Sequence, residues 1–361
     1  MPISVKATIG KLIATVAVAA FALQTPAKAA ETIELTAIDG YPPKSMWVDR
    51  FINFFIPEID KRLAKTGNYK IKWNQAWGGQ IAKKKNVLQG IQKGLGDIGV
   101  VTTVFHNSRV PLQMIAYATP FVTTDPGLVA RTVDQMVAKY PAFKQAWDKY
   151  NQVYLTNLAV LDTYQMFFNK SVENIGGFKG LKVGVAGLNA LYLKGTGAAS
   201  VGGSYLTYYN KVKTGVIDGF MLWPEAVTAF KMYEVVPYML RADIGTANSK
   251  AITVNADTWK KLPGEVKTAI KEAAIAYRDH VAQTALDRAK TAYAQYEKNG
   301  GKIVTMSAAE RKNWGSTMPN VAKDWAADLE KKGIPGKEIL AGYMDIMRQA
   351  GQPILRQWDK E

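Results

Sequence analysis

From Glu265 to Asn299 the chain runs without a single glycine or proline. Ala, Lys, Glu and Gln dominate the stretch, and all are good helix formers. Pro263, just ahead of it, suits a first-turn position. At 1.5 Å per residue an unbroken helix here would reach ~50 Å, longer than one small domain is wide. The alternative is two helices with an unmarked break. If the helix is continuous it has to span two lobes, and that requirement limits how everything else is arranged.

The length agrees with two lobes, because 361 residues is more than one compact core usually holds. There is no cysteine, so stability has to come from burial, which a 48% hydrophobic content allows. Residues 1–30 read as an export segment. Lys6 and Lys11 give a basic start, Leu12 to Leu23 is apolar, and Ala27-Lys28-Ala29 offers small residues for cleavage near Ala29-Ala30. The apolar run is short for a bilayer-crossing helix. The alternative, a retained anchor helix, is opposed by Pro26. No second run of spanning length follows.

The formal charge is +16, and loss of Lys6, Lys11 and Lys28 with the segment leaves +13. Such a surplus fits nucleic-acid binding in principle. Here the lysines are scattered over many predicted helices and the chain is exported. A solvated basic surface, able to draw anions or an acidic partner, accounts for them.

Element order gives an α/β fold. Ile33 to Ile38 alternates as a strand, then Gly40-Tyr41-Pro42-Pro43 turns. Trp47 to Leu63 has helical spacing, Tyr69 to Trp73 reads as a strand, Ile81 to Ile91 as a helix, and Asp97 to Val101 as a buried strand. This order predicts a parallel sheet with ligand-facing loops at the strand C-termini. Val153 to Val160 and Tyr164 to Asn169 follow as strands, with the passage between lobes between them. A second set comprises strands Leu181 to Val185, Val216 to Met221 and Val235 to Leu240, with helices Ser204 to Val212 and Glu225 to Met232. Ala251 to Val254 looks like a return strand. Ser307 to Glu310 forms a capping box, and Pro335 starts the last helix.

Several landmarks recur in a known order: Gly79-Gln80-Ile81, Gly94-Leu95-Gly96-Asp97, Pro120-Phe121, Gly180-Leu181-Lys182-Val183, Gly215 to Gly219, Met232 to Val235, and Trp259 to Pro263 after Asn255. With these the chain resembles the DctP-type substrate-binding proteins of TRAP (tripartite ATP-independent periplasmic) transporters. The resemblance implies a two-lobed periplasmic-binding-protein clamshell, each lobe a mainly parallel sheet with flanking helices and one long helix spanning both. The expected division is a first lobe of 31–161 plus about 249–290 and a second of 162–248 plus about 291–361. It also implies a periplasmic receptor that hands a small organic acid to a small and a large membrane permease subunit, without cofactor or catalysis.

The family's carboxylate-binding arginine follows the Gly-Leu-Lys-x strand, and Gly184 stands at its place here. Matched by position, Tyr164 replaces a second basic residue and Leu222 replaces an asparagine. The candidate ligand-binding residues are therefore largely aromatic. Asp39 and Tyr41 close the first strand, Trp77 precedes the second helix, and Thr102, Thr103 and Phe105 follow the third strand. Tyr164, Gly184, Tyr205, Leu222, Trp223 and Glu225 come from the second lobe. Such a set suits an aromatic or bulky monocarboxylate, or a neutral compound or a small amine over aromatic faces with Asp39 or Glu225 as counter-charge. A receptor serving an ATP-driven importer or a sensor kinase is the neighbouring possibility. A periplasmic enzyme is the rival of another class. His106 and His280 are the only histidines and no cysteine is present, which argues against a zinc site. Gly195-Thr196-Gly197 follows a helix rather than a strand and reads as a turn, not a dinucleotide loop.

Overall fold

Eleven strands are present among the residues that a computed structural model describes, 1–3 and 29–361. The expected export segment lies almost entirely outside them. The strands are β1 (Glu31–Ile38), β2 (Tyr69–Ala76), β3 (Ile98–Thr102), β4 (Gln152–Ala159), β5 (Gln165–Phe168), β6 (Lys182–Val185), β7 (Ala199–Gly202), β8 (Gly219–Leu222), β9 (Tyr238–Arg241), β10 (Asn248–Asn255) and β11 (Lys302–Thr305). They build a five-stranded sheet in the order β2-β1-β3-β10-β4 and a six-stranded sheet in the order β11-β9-β5-β8-β6-β7.

Parallel pairing joins β1 to β2 and β3, β6 to β7 and β8, and β9 to β11. β10 pairs antiparallel with β3 and β4, and β5 with β8 and β9. Both sheets are thus mixed rather than mainly parallel. The antiparallel members are the strands that enter or leave a lobe at the crossings. Central β3, β5, β8 and β10 are buried along their whole length, as strands covered on both faces must be.

Helix Gly264–Lys298 is continuous and buries an alanine-rich stripe. Near its middle Tyr277 packs on Phe51 and Phe55 of the five-stranded lobe and donates its hydroxyl to Trp47 O. Near its end Tyr296 meets Phe167 of β5 and donates to Val236 O at 2.5 Å. One helix therefore grips both lobes. Among the described residues no helix is long and apolar enough to cross a membrane.

Several boundaries differ from expectation. The helix expected at Ile81 to Ile91 forms only over Val87–Gln92. Gly78 and Gly79 have φ of +68° and +85°, and the Lys83–Lys84 backbone lies so close to Gly40 that a Cβ there would collide with it. Edge strands β7 and β11 were not expected: β7 is largely exposed, and β11, though β-branched, is only four residues long. Helices Val321–Glu330 and Gly336–Gln349, expected with the second lobe, pack against helices Ile115–Ala118 and Pro126–Lys139 instead. Trp325 Nε1 anchors there on Pro111 O at 2.9 Å.

The chain crosses between lobes at 160–164 and 242–247. These segments are zipped together, with Tyr164 N donating to Gly245 O and Ile244 N to Tyr164 O, both at 3.1 Å. Asp162 lies in this crossing, buried, with Oδ1 lacking a hydrogen-bond partner. Burial pushes its carboxyl up to about 7, against the opposing Thr163 N–H. The folded state thus holds a proton that the unfolded chain releases near pH 4, so this group withdraws stability as pH rises from ~4 to ~7. Asp162→Asn should stabilise the protein by roughly 2–3 kcal/mol more at pH 8 than at pH 5. Urea unfolding at the two pH values measures this, and equal gains would contradict it.

Candidate ligand-binding site

Between the two sheets lies a narrow slot of about 30 Å³ as the lobes stand here, room for water rather than for an organic ligand until they part. The five-stranded lobe supplies Tyr41 after β1, Thr102 at the end of β3, Phe105 beyond it, and Ser249 and Lys250 on β10. The six-stranded lobe supplies Tyr164 before β5, Asn189 beyond β6, Tyr205 and Tyr208 of helix Tyr205–Lys213, Leu222 of β8, and Trp223 just after it. The walls therefore gather at strand ends, where open α/β sheets offer their loops.

The lobes touch across this slot. Tyr41 and Tyr205 stack with ring centroids 5.3 Å apart and planes 14° from parallel. Ser45 Oγ and Tyr205 OH lie within hydrogen-bond distance at 2.7 Å. Trp223 meets Tyr205 and Tyr164 edge-on at 5.7 and 6.1 Å. Beside the slot, Arg288 of the long helix reaches Asp49 at 2.9 Å and Glu225 at 3.3 Å, one carboxylate from each lobe. Gly187, with φ +53°, approaches Val104 of the facing lobe so closely that a Cβ would strike the Val104 carbonyl.

Among the described residues lining the slot, Lys250 is the one lysine, arginine, aspartate or glutamate. It is buried, with Nζ 4.3 Å from the Trp47 ring centroid and 3.5 Å from Ser249 Oγ. Burial pushes its ammonium down, opposed by the negative charge of Asp39. Burial pushes Asp39 up, against the donors Tyr41 N and Trp47 Nε1 and the Lys250 charge. Opposite, the Asn189 amide is buried with neither its oxygen nor its nitrogen hydrogen-bonded, and Thr102 Oγ1 and Tyr208 OH are likewise without partners. Buried polar groups left open in this way are costly unless something else satisfies them. A positive charge, an amide and two hydroxyls facing a slot of aromatic walls suit a small, flat, anionic molecule.

Of the residues singled out from sequence, Tyr41, Thr102, Phe105, Tyr164, Tyr205, Leu222 and Trp223 line the slot. The other five do not. Asp39 sits behind Tyr41 on Trp47, and Trp77 packs on Phe51. Thr103 donates to Asn248 O at 3.3 Å. Glu225 is engaged by Trp223 Nε1 and Arg288. Gly184 opens no room for a ligand, because a Cβ there would lie 3.0 Å from the Tyr208 ring and 2.9 Å from Ile217. Tyr208, Ile217 and Phe220 close round Gly184 there. Lys250, Asn189, Tyr117, Tyr208 and Ser249 were not anticipated. For Lys250 the signal was a lysine directly preceding the apolar run Ala251 to Val254. The return strand begins at Asn248, which places Lys250 within it.

Two α/β lobes, crossed by paired segments and shut over an internal slot, define a solute-binding protein of the clamshell kind. The chain belongs to the DctP family, bacterial extracellular solute-binding protein family 7, whose model matches residues 52–328. Solved structures with the same fold include a TRAP solute binding protein from Rhodoferax ferrireducens in complex with copurified benzoate (TM-score 0.78, 17% identity, covering 88% of this chain and 98% of that one). Another is a TRAP periplasmic solute binding protein from Bordetella bronchiseptica with bound (R)- and (S)-mandelate (0.76, 22%, 88% and 99%). A third is an extracytoplasmic solute receptor of Bordetella pertussis binding pyroglutamic acid (0.74, 19%, 86% and 99%).

Closure depends on the bare backbone at Gly187. Gly187→Ala should leave the unfolding midpoint within a few degrees of wild type but hold the lobes apart. Small-angle scattering would show a larger radius of gyration, and ligand affinity would fall at least ~10-fold, about 1.4 kcal/mol. An unchanged radius and affinity would show that the lobes shut without this contact.

Proposed function

We propose that this protein is the periplasmic receptor of a TRAP transporter, capturing an aromatic or otherwise bulky monocarboxylate and delivering it to a small and a large membrane permease subunit. The observation that carries the ligand class is the buried Lys250 ammonium on the slot wall. It takes over the anion-binding role that the family assigns to an arginine, from the other lobe and from a different strand. The open Asn189 amide supplies a second polar contact. Tyr41, Tyr205, Trp223 and Phe105 supply apolar faces for a ring. An amine is disfavoured, since Asp39 faces Trp47 and Glu225 faces Arg288. The ligands of the similar structures, benzoate, mandelate and pyroglutamate, are of the proposed kind.

In this account the first thirty residues direct export and are removed near Ala29-Ala30, which puts the receptor in the periplasm. The cleft offers binding groups only. No histidine faces it among the described residues, and its tyrosines are pushed up by burial, hence protonated at neutral pH.

A thermal-shift series over benzoate, mandelate, pyroglutamate, aliphatic dicarboxylates and benzylamine tests the ligand class. Stabilisation by the aromatic monocarboxylates is expected, and stabilisation by benzylamine alone would overturn the proposal. Trp223→Ala should weaken binding of the best carboxylate by roughly 5- to 10-fold, the loss of one aromatic contact worth about 1 kcal/mol. Titration calorimetry reads it, and an unaltered Kd would remove Trp223 from the site.

A further inference from the structure

Trp47 joins two opposite charges. Its indole N–H donates to Asp39 Oδ2 at 2.9 Å, and the Lys250 ammonium lies over its face at 4.3 Å. Both charged residues are buried, and only Lys250 reaches the slot. We infer that a carboxylate is captured together with one proton from solvent, accepted by the Asp39–Lys250 pair, so that the filled site holds ligand carboxylate, Lys250 ammonium and neutral Asp39. The inference rests on the organic-acid reading above and adds a chemical requirement to it.

Charge counting leads there. Before capture the pair is neutral overall, whether its charges are separated or the proton sits on Asp39. A carboxylate docked on Lys250 brings one negative charge into a space walled by rings, where an uncompensated charge is strongly disfavoured. One added proton restores neutrality. Its place is Asp39, because the ligand now serves as the ammonium's counter-ion. Burial already pushes Asp39 up and Lys250 down, and each is held back by the other's charge. The two N–H donors on Asp39 favour its anion, so protonation waits for the ligand's charge.

Neighbouring groups do not offer an easier acceptor. Tyr41, Tyr205 and the long helix's Tyr277 face Asp39, and burial pushes each phenol up. Tyr117, Tyr164 and Tyr208 elsewhere around the slot are pushed up in the same way. On helix Met46–Arg50, Asp49 is paired with Arg50 at 2.7 Å and with Arg288, which also holds Glu225. Behind Gly40, burial and the charges of Lys85 and Lys83 push Lys84 down. His106 lies outside the slot lining, with burial pushing it down to about 4.

Calorimetric titration with whichever of benzoate, mandelate or pyroglutamate binds tightest, in buffers of different ionisation enthalpy from pH 6 to 9, counts the protons. Uptake of about one proton per ligand is expected at the alkaline end, with affinity falling toward ~10-fold per pH unit. Tight binding with no proton uptake across the range would overturn the inference and leave the organic-acid reading standing. Failure of every carboxylate to bind would overturn both. Lys250→Met, checked for folding by circular dichroism, should bind roughly 30-fold or more weakly and without uptake. Retained uptake would place the acceptor elsewhere. Infrared difference spectra give an independent readout: a protonated carboxyl band should appear on binding in wild type and be missing in Asp39→Asn. Its persistence in Asp39→Asn would overturn the assignment.

Discussion

A rod that cannot shorten governs this molecule. Helix Gly264–Lys298 is fixed to the five-stranded lobe through Tyr277 and to the six-stranded lobe through Tyr296, so the lobes cannot slide apart along it. The crossings at 160–164 and 242–247 are hydrogen-bonded to each other and bend together. A rotation of one lobe against the other about these crossings would open the slot. With the lobes as they stand, Tyr41 and Tyr205 meet face to face. A ligand shifts this equilibrium only through contacts it makes in the shut form and not in the open one. A molecule bridging Lys250 and Asn189, which come from opposite lobes, meets that condition.

On the reading proposed above, a lysine in another strand stands in for the family's arginine, and recognition changes with it. A guanidinium fork fixes the orientation of a carboxylate through two parallel hydrogen bonds, whereas an ammonium is a compact point charge. Orientation then has to come from the walls. Tyr208 fills the volume beside Gly184, and the rings of Tyr41, Tyr205 and Trp223 enclose the slot on several sides. Shape set by aromatic faces and anchoring by one charge are compatible with a ring-bearing acid. They are poorly suited to two carboxylates at a fixed spacing.

Much of the architecture was legible because it rests on long-range regularities. An uninterrupted helical composition between Pro263 and Asn299 announced the rod, and the alternation of strands and helices announced two sheets. The aromatic half of the slot was legible too, since Tyr41, Phe105, Tyr164, Tyr205 and Trp223 fall at strand ends in the expected order. Lys250 escaped because a lysine beside a strand reads as a solvated boundary; only pairing with β3 and β4 on both sides shows that it is interior. Asn189 sits in the 3-10 segment Gly187–Leu193, where no periodicity marks it. Gly184, counted among the candidate ligand contacts, borders no free space, because close packing fills the place beside it, here with Tyr208. The position of the C-terminal helices depends on contacts with Ile115–Ala118 and Pro126–Lys139, and the linear order of elements contains no trace of those.

The placement of Trp47 has an optical corollary. The Asp39 carboxyl lies at the edge of its ring system and the Lys250 amine above its face, so the local electric field depends on how that pair is charged. Any event that discharges one of those two groups alters the field across the chromophore and shifts the energy of its excited state. Should ligand capture protonate Asp39 as inferred above, the emission of this one indole among nine would shift with occupancy.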